Sequence, residues 1–279
     1  MYGPYRRTMQ IFVFALMFAI PLLNLYEIYA VTGTFYAVNI GGLGIADPVV
    51  ILQAIFASGE LTVPLLGAAL FPIFVALLFG RIWCGWMCPY HLLADCAAWL
   101  RKRLRGKGGQ PASSERLVVA DSFKANASRY GFLAAGTLAA GAVGIPVLNY
   151  FSAPGIMSTE AMILVKERLV SLEFSFIALI ILLELLVFPR FWCRLFCPTG
   201  AFIAVFRLPF TLGVGTSIRT PKTPCCKDNR CSGACPMGLA PFKEGNNLLC
   251  TNCGLCVDAC GATGGPGRLR FRGFQAFDR

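Results

Sequence analysis

The sequence predicts an all-α membrane protein: four transmembrane helices arranged as two parallel helix-pair repeats, followed by a cysteine-rich C-terminal segment. Three observations predict it. The 279-residue chain is 56% hydrophobic and only 14% charged, against about 25% charged for an ordinary soluble domain, so polar residues are too few to cover a globular surface. Four apolar runs each approach the roughly 20 residues that a helix needs to cross a bilayer. A short cysteine motif occurs twice, each copy directly after an even-numbered run.

The runs cover roughly 9–31, 61–80, 130–151 and 169–188. The first is too long for the apolar region of a signal peptide and lacks a small-residue cleavage site, so it reads as a signal anchor. Pro21, Pro64, Pro72 and Pro146 fall inside the runs, which neighbouring helices in a membrane accommodate. The basic residues then suggest an orientation. Arg6 and Arg7 precede the first run, nine Lys or Arg lie between Arg81 and Arg129, and twelve follow Phe188. The two other loops hold only Lys166 and Arg168. By the positive-inside rule, this is a multi-pass protein of the bacterial cytoplasmic (inner) membrane with both termini and the cysteine-rich tail in the cytoplasm. The net charge of +11 is thus an orientation mark rather than a nucleic-acid footprint.

The repeated motif is Arg81-Ile-Trp-Cys-Gly-Trp-Met-Cys-Pro89 and Arg190-Phe-Trp-Cys-Arg-Leu-Phe-Cys-Pro198. Each half also has an outer loop with a short amphipathic piece, 47–58 and 158–168. Two helices per half give the copies the same orientation, about an axis along the membrane normal. In each motif two cysteines four apart share one face over a single helical turn. Cys84, Cys88, Cys193 and Cys197 therefore converge at the membrane boundary. They suit a further iron–sulfur centre, zinc or reversible disulfides; the structural alternative is that each pair packs a helix end before a proline starts the next helix. Cys96 reads as a small buried residue. The membrane domain is assigned to residues 1–210 and the tail to 211–279.

The tail carries Cys250-x2-Cys253-x2-Cys256-x3-Cys260, the bacterial ferredoxin spacing. Soft thiolates select iron–sulfur clusters or zinc over harder metals, and these gaps favour a cluster. Before it stands Cys225-Cys226-Lys-Asp228-Asn-Arg-Cys231-Ser-Gly-Ala-Cys235-Pro236, where the ideal pattern has Asp228 in place of its second cysteine. Cys225 or Cys226 supplies a ligand, or Asp228 offers an oxygen, or the site holds a three-iron or labile cluster. In two-cluster ferredoxins the fourth cysteine of each run ligates the other cube. One cluster then takes Cys225 or Cys226, Cys231 and Cys260; the other takes Cys250, Cys253, Cys256 and Cys235. The fold class is completed by this two-[4Fe-4S] ferredoxin-like segment.

A single histidine excludes an intrachain bis-His haem, so iron–sulfur must carry any electrons. Ionisable residues inside apolar runs are functional candidates by default. Glu184, deep in the fourth run, reads as a proton acceptor or as a neutral acid bonded to another helix. His91, three residues after a cysteine pair, could hydrogen-bond a quinone oxygen, tune a cluster or be structural.

Taken together, the two Cys-x3-Cys-Pro repeats and the ferredoxin tail resemble the NapH family of membrane ferredoxin-type subunits; MauN and NosR-like polyferredoxins are similar. The resemblance extends to Asp47-Pro-Val-Val-Ile-Leu-Gln53 and to Asp95-Cys-Ala-Ala-Trp99-Leu before the basic cluster. It implies a quinol dehydrogenase role: quinol oxidised in the membrane, electrons passed through [4Fe-4S] clusters toward a reductase. The implied partners are lipid, the quinone pool and other redox subunits (a ferredoxin-type or cytochrome c-type protein, a terminal reductase), with no nucleic acid. A second class remains, an accessory or maturation protein supplying reducing equivalents for assembly of another redox or metal enzyme. Asp228, the Cys225-Cys226 doublet, Gly261 where proline is usual, and Tyr90-His91 depart from the family pattern.

Overall fold

A computed structural model describes residues 2–27, 30–104, 122–186, 189–216, 230–242, 247–261 and 269–273. It opens with α1, Tyr2–Leu25, whose buried residues Arg6, Gln10, Val13, Met17, Ile20 and Pro21 recur every three or four positions, so they form one stripe against the core. The opposite face is apolar and exposed at Ile11 and Phe12. The chain then turns into an antiparallel meander of β1 (Val31–Thr34), β2 (Ala37–Ile40) and β3 (Leu43–Ala46). Asp47 caps the next helix, α2 (Pro48–Ser58), by accepting from the Val49 N–H at 2.8 Å, with Pro48 at the first position where its missing N–H costs nothing.

Next come α3 (Val63–Phe79), the short α4 (Ile82–Trp86), α5 (Pro89–Leu104), α6 (Ser122–Val143), a 3₁₀ turn over Val147–Phe151, α7 (Ala153–Glu167) and α8 (Leu172–Leu186). A second short helix, α9 (Phe191–Leu195), leads into α10 (Pro198–Val205). The repeat is therefore real at the level of elements: long helix, five-residue helix holding the first cysteine, proline-started helix. Its turns match. Met87 and Cys88 N–H both donate to the Trp83 carbonyl, and Phe196 and Cys197 N–H both donate to that of Trp192. The tail adds β4 (Gly213–Thr216), α11 (Arg230–Gly233), α12 (Leu255–Gly261) and β5 (Leu269–Arg272), the two strands pairing antiparallel.

The four-span, parallel-repeat architecture is not the one observed. Among the described residues only α1 is a helix long and apolar enough to cross a membrane. At about 1.5 Å per residue, the 17 residues of α3 and the 15 of α8 fall short of a hydrocarbon core about 30 Å thick. Helix α3 stops at Gly80 (φ 62°), and α6 stops before Gly144 (φ 74°), left-handed positions that end a helix cheaply only at glycine. Helix α6 also spends its first turns on Ser122, Lys124, Asn126, Ser128 and Arg129. Without the four spans the charge bias no longer specifies an orientation. The protein is not all-α either: its described residues contain a three-stranded and a two-stranded sheet.

The main core gathers Met17, Tyr90, Ile156, Ile177, Ile180, Trp192 and Leu249. Leu249 shows that the tail does not stand off from the helices. Asp258 of α12 accepts from the Tyr2 and Gly3 N–H groups, so the tail caps the N-terminus of α1, where a negative charge is favoured by the helix dipole.

Candidate functional site: two groups of buried cysteines

The tail forms a cavity lined by Cys235, Cys250, Cys253 and Cys256 together with Val214, Met237 and other apolar groups, with about 410 Å³ of space including its open mouth. The lining cysteines come from both tail motifs. Between 250 and 256 the chain makes a tight loop in which Asn252 takes φ 51° and Gly254 φ 78°. Burial pushes the Cys235 thiol up to about 12, with the Leu239 and Met237 N–H groups opposing the rise. Burial likewise raises Cys253, against the Leu255 N–H, and Cys256, where the Cys253 and Cys250 sulfurs add to it. Sulfurs facing backbone N–H groups in an apolar cavity suit thiolates whose charge is taken up by a soft metal.

Cys231 and Cys260 are also buried, packed with Val214, Leu269 and Cys256. Cys260 is disulfide-bonded and its sulfur accepts from the Leu269 N–H at 3.3 Å. Cys225, Cys226 and Asp228 lie outside the described residues.

The repeat cysteines form the second group. Cys84, Cys88, Cys193 and Cys197 are all buried, and burial pushes Cys197 up to about 11, with the Cys84 sulfur adding to it. Cys193 is raised by burial, then by Glu184, Cys197 and Cys88. The Cys197 sulfur thus lies close to that of Cys84, and the Cys193 sulfur close to those of Cys197 and Cys88. Among the described residues no three His, Cys, Asp or Glu side chains are gathered so as to hold a single metal ion. The tail cavity's four thiols line a space with room for a multi-atom cluster. Cys96, expected to be buried, is exposed.

Glu184 and His91 are both brought into the core, 3% and 1% exposed, and they share Arg190 as a neighbour. Arg190 Nη1 lies 2.6 Å from His91 Nδ1, its Nη2 pairs with Asp95, and Asp95 also pairs with Arg6. Glu184 accepts from the Trp192 N–H at 3.4 Å. Burial, and then the positive charges of Arg190, Arg6 and Arg81, drive the His91 pKa well below its usual value. His91 is therefore neutral; with Nδ1 facing a guanidinium donor, its proton sits on Nε2, a buried atom without a partner among the described residues.

Sequence reasoning missed the arginines. Arg81 and Arg190 begin the two motif copies, and that shared position was the available signal. Arg81 is 1% exposed and its Nη1 donates to the carbonyls of Leu248 and Leu249 at 3.3 and 3.2 Å, immediately before Cys250. Asp47 was also missed as a charged group: Thr199 donates to its Oδ2 at 2.7 Å, and burial lifts its carboxyl to about 6 against that bond and the one from Val49.

A family model described as a 4Fe-4S binding domain matches residues 61–108 and 170–214, the segments that carry the two repeat motifs. The methylamine utilization ferredoxin-type protein MauN of Methylorubrum extorquens is 30% identical over 91% of this chain and 73% of its own length. MauN of Paracoccus denitrificans is 31% identical over 79% of this chain and 62% of its own. The ferredoxin-type protein NapH of Haemophilus influenzae is 26% identical over 92% of this chain and 85% of its own. No solved structure matches. Buried cysteines grouped around two centres, within segments that match a 4Fe-4S binding domain, define an iron–sulfur protein. The chain belongs to the MauN and NapH family of ferredoxin-type proteins.

Proposed function

We propose that the protein is an iron–sulfur electron carrier that takes electrons from quinol and passes them through two [4Fe-4S] clusters in residues 211–279 to a partner reductase. The observation that carries the reading is the tail cavity, where Cys235 of the first tail motif joins Cys250, Cys253 and Cys256 of the second. That is the exchange of fourth ligands typical of two-cluster ferredoxins. Cys231 and Cys260, with Cys225 or Cys226, would hold the other cluster once the disulfide at Cys260 is reduced, and Cys84, Cys88, Cys193 and Cys197 a third thiolate-ligated centre. When bound, such clusters supply one-electron transfer at potentials set by nearby charge and hydrogen bonds.

The rest falls to the chain's own side chains. Quinol becomes quinone by losing two electrons and two protons. Neutral His91, with its proton on Nε2, donates a hydrogen bond to a quinone oxygen but cannot serve as the base. The buried carboxylate of Glu184 takes one proton instead, and the other is released to solvent. Helix α1, with its apolar exposed face, attaches the protein to a membrane, and a ferredoxin-type or cytochrome c-type partner receives the electrons.

Anaerobic purification followed by iron and sulfide quantification and EPR, before and after adding a quinol analogue, tests this. Eight iron atoms in the tail clusters and a reduced-cluster signal that grows with quinol are expected. Loaded clusters that quinol leaves unreduced would remove quinol as the donor.

A further inference from the structure

Two groups of cysteines far apart in sequence meet at one buried cation. We propose that Arg81 is a positioning residue that couples the four-cysteine centre of Cys84, Cys88, Cys193 and Cys197 to the tail cavity, its charge shared by both. The inference rests on the electron-carrier reading above and adds to it a bridge between the centres.

Arg81 is among the largest fully buried side chains, yet among the described residues no carboxylate pairs with it. Its partners are the Leu248 and Leu249 carbonyls and the sulfurs around it. A buried cation needs a countercharge, which cluster-bound thiolates at Cys84 and Cys197 would supply.

The packing holds the guanidinium at this junction. A Cβ on Gly200 would lie 2.5 Å from Arg81 Nη2 and 3.6 Å from Cys197 Sγ, so only glycine at 200 lets the cation sit beside that sulfur. On its other side Nη1 grips the two carbonyls leading into Cys250. One guanidinium fork therefore ties the cysteines of the repeats to the loop of the tail, a bidentate task that a lysine point charge performs less well.

Reduction adds a negative charge to a cluster, and a fixed cation nearby stabilises the reduced form and raises the potential. Redox titration followed by EPR, with iron quantified in parallel, tests the proposal on the full chain and on Arg81→Met, Arg81→Lys and Gly200→Ala. Arg81→Met is expected to move the midpoints of both the tail signal and the four-cysteine signal to more negative values, with Arg81→Lys restoring most of the shift. If Arg81→Met does not retain iron, Gly200→Ala is titrated instead, and a negative shift of the four-cysteine signal is expected as the guanidinium is pushed away. Loaded centres whose midpoints ignore these substitutions would overturn the coupling alone. Absence of any iron–sulfur signal in the unsubstituted protein would overturn the electron-carrier reading and the coupling with it.

Discussion

Gly85 and Thr251 meet backbone to backbone: a Cβ on Gly85 would lie 2.4 Å from the Thr251 carbonyl oxygen and 3.5 Å from Cys253 Cα. Gly85 stands between Cys84 and Cys88, and Thr251 between Cys250 and Cys253, so the two cysteine loops are pressed together at this point. Trp86 beside it donates from Nε1 to the Asn252 carbonyl at 3.0 Å, and Arg6 and Gln10 of α1 donate to the Gly85 carbonyl.

Gly85→Ala must therefore move one loop. Overpacking of this kind costs about 1–3 kcal/mol, and a lowered thermal midpoint with reduced iron retention is expected. Gly131, within α6, has nothing within 4 Å of its hypothetical Cβ, and Gly131→Ala should stabilise by up to about 1 kcal/mol through helix propensity. Thermal unfolding of the two variants, side by side, checks the contrast; equal effects would show that the Gly85 contact carries no weight.

Asn252 is fully buried, and its Nδ2 donates to the Phe79 and Leu212 carbonyls at 2.8 and 2.7 Å. Asn252→Ala takes the side-chain donor away from two part-buried carbonyls and puts alanine in a left-handed position that it disfavours, a loss of about 2–4 kcal/mol. Asn252→Gly removes the strain but not the lost bonds and should fall between. Denaturant midpoints give the order; Gly behaving as wild type would place all the effect in backbone strain.

Asp95 balances Arg6 and Arg190, whose side chains are 4% and 3% exposed. Asp95→Asn leaves two buried cations facing each other, and breaking a buried pair costs about 3–5 kcal/mol. Replacing half-buried Asp258 by Asn, at the α1 N-terminus, should cost no more than about 1 kcal/mol. Chemical unfolding of both variants measures the gap, and a small Asp95 effect would mean that water reaches the pair.

Asp47 makes stability depend on pH with a definite sign. Its carboxyl titrates near 3.8 when unfolded and at about 6 when folded, so the folded state binds the proton more tightly. The stabilisation from the proton is complete below pH 4 and is lost as pH rises through about 6. Asp47→Asn keeps a helix-capping side chain and removes the titration. Relative to wild type it should gain stability between pH 4 and 6, by up to about 3 kcal/mol at neutral pH. Parallel pH-stability curves for the two proteins would refute this assignment.

The sequence by itself determined the chemistry: twelve of thirteen cysteines in recognisable motifs, the Cys250–Cys260 spacing, the duplicated Arg-x-Trp-Cys-x3-Cys-Pro unit and one long apolar helix at the N-terminus. These are local patterns, and local patterns need only neighbouring residues to be legible. The number of spans was not such a pattern. Apolar composition runs straight through Gly144, but the backbone turns there, so α6 ends where hydropathy continues, while α3 starts only at Val63 and stops at Gly80 after 17 residues. The tertiary structure alone decided which groups meet across the chain. Arg81 reaches the carbonyls before Cys250, Arg190 reaches His91 and Asp95, and Gly85 lies against Thr251. Equivalent arginines in two copies of one motif acquired different partners, because a buried guanidinium is held by whatever acceptors the packing brings to it, and no spacing within the motif encodes them.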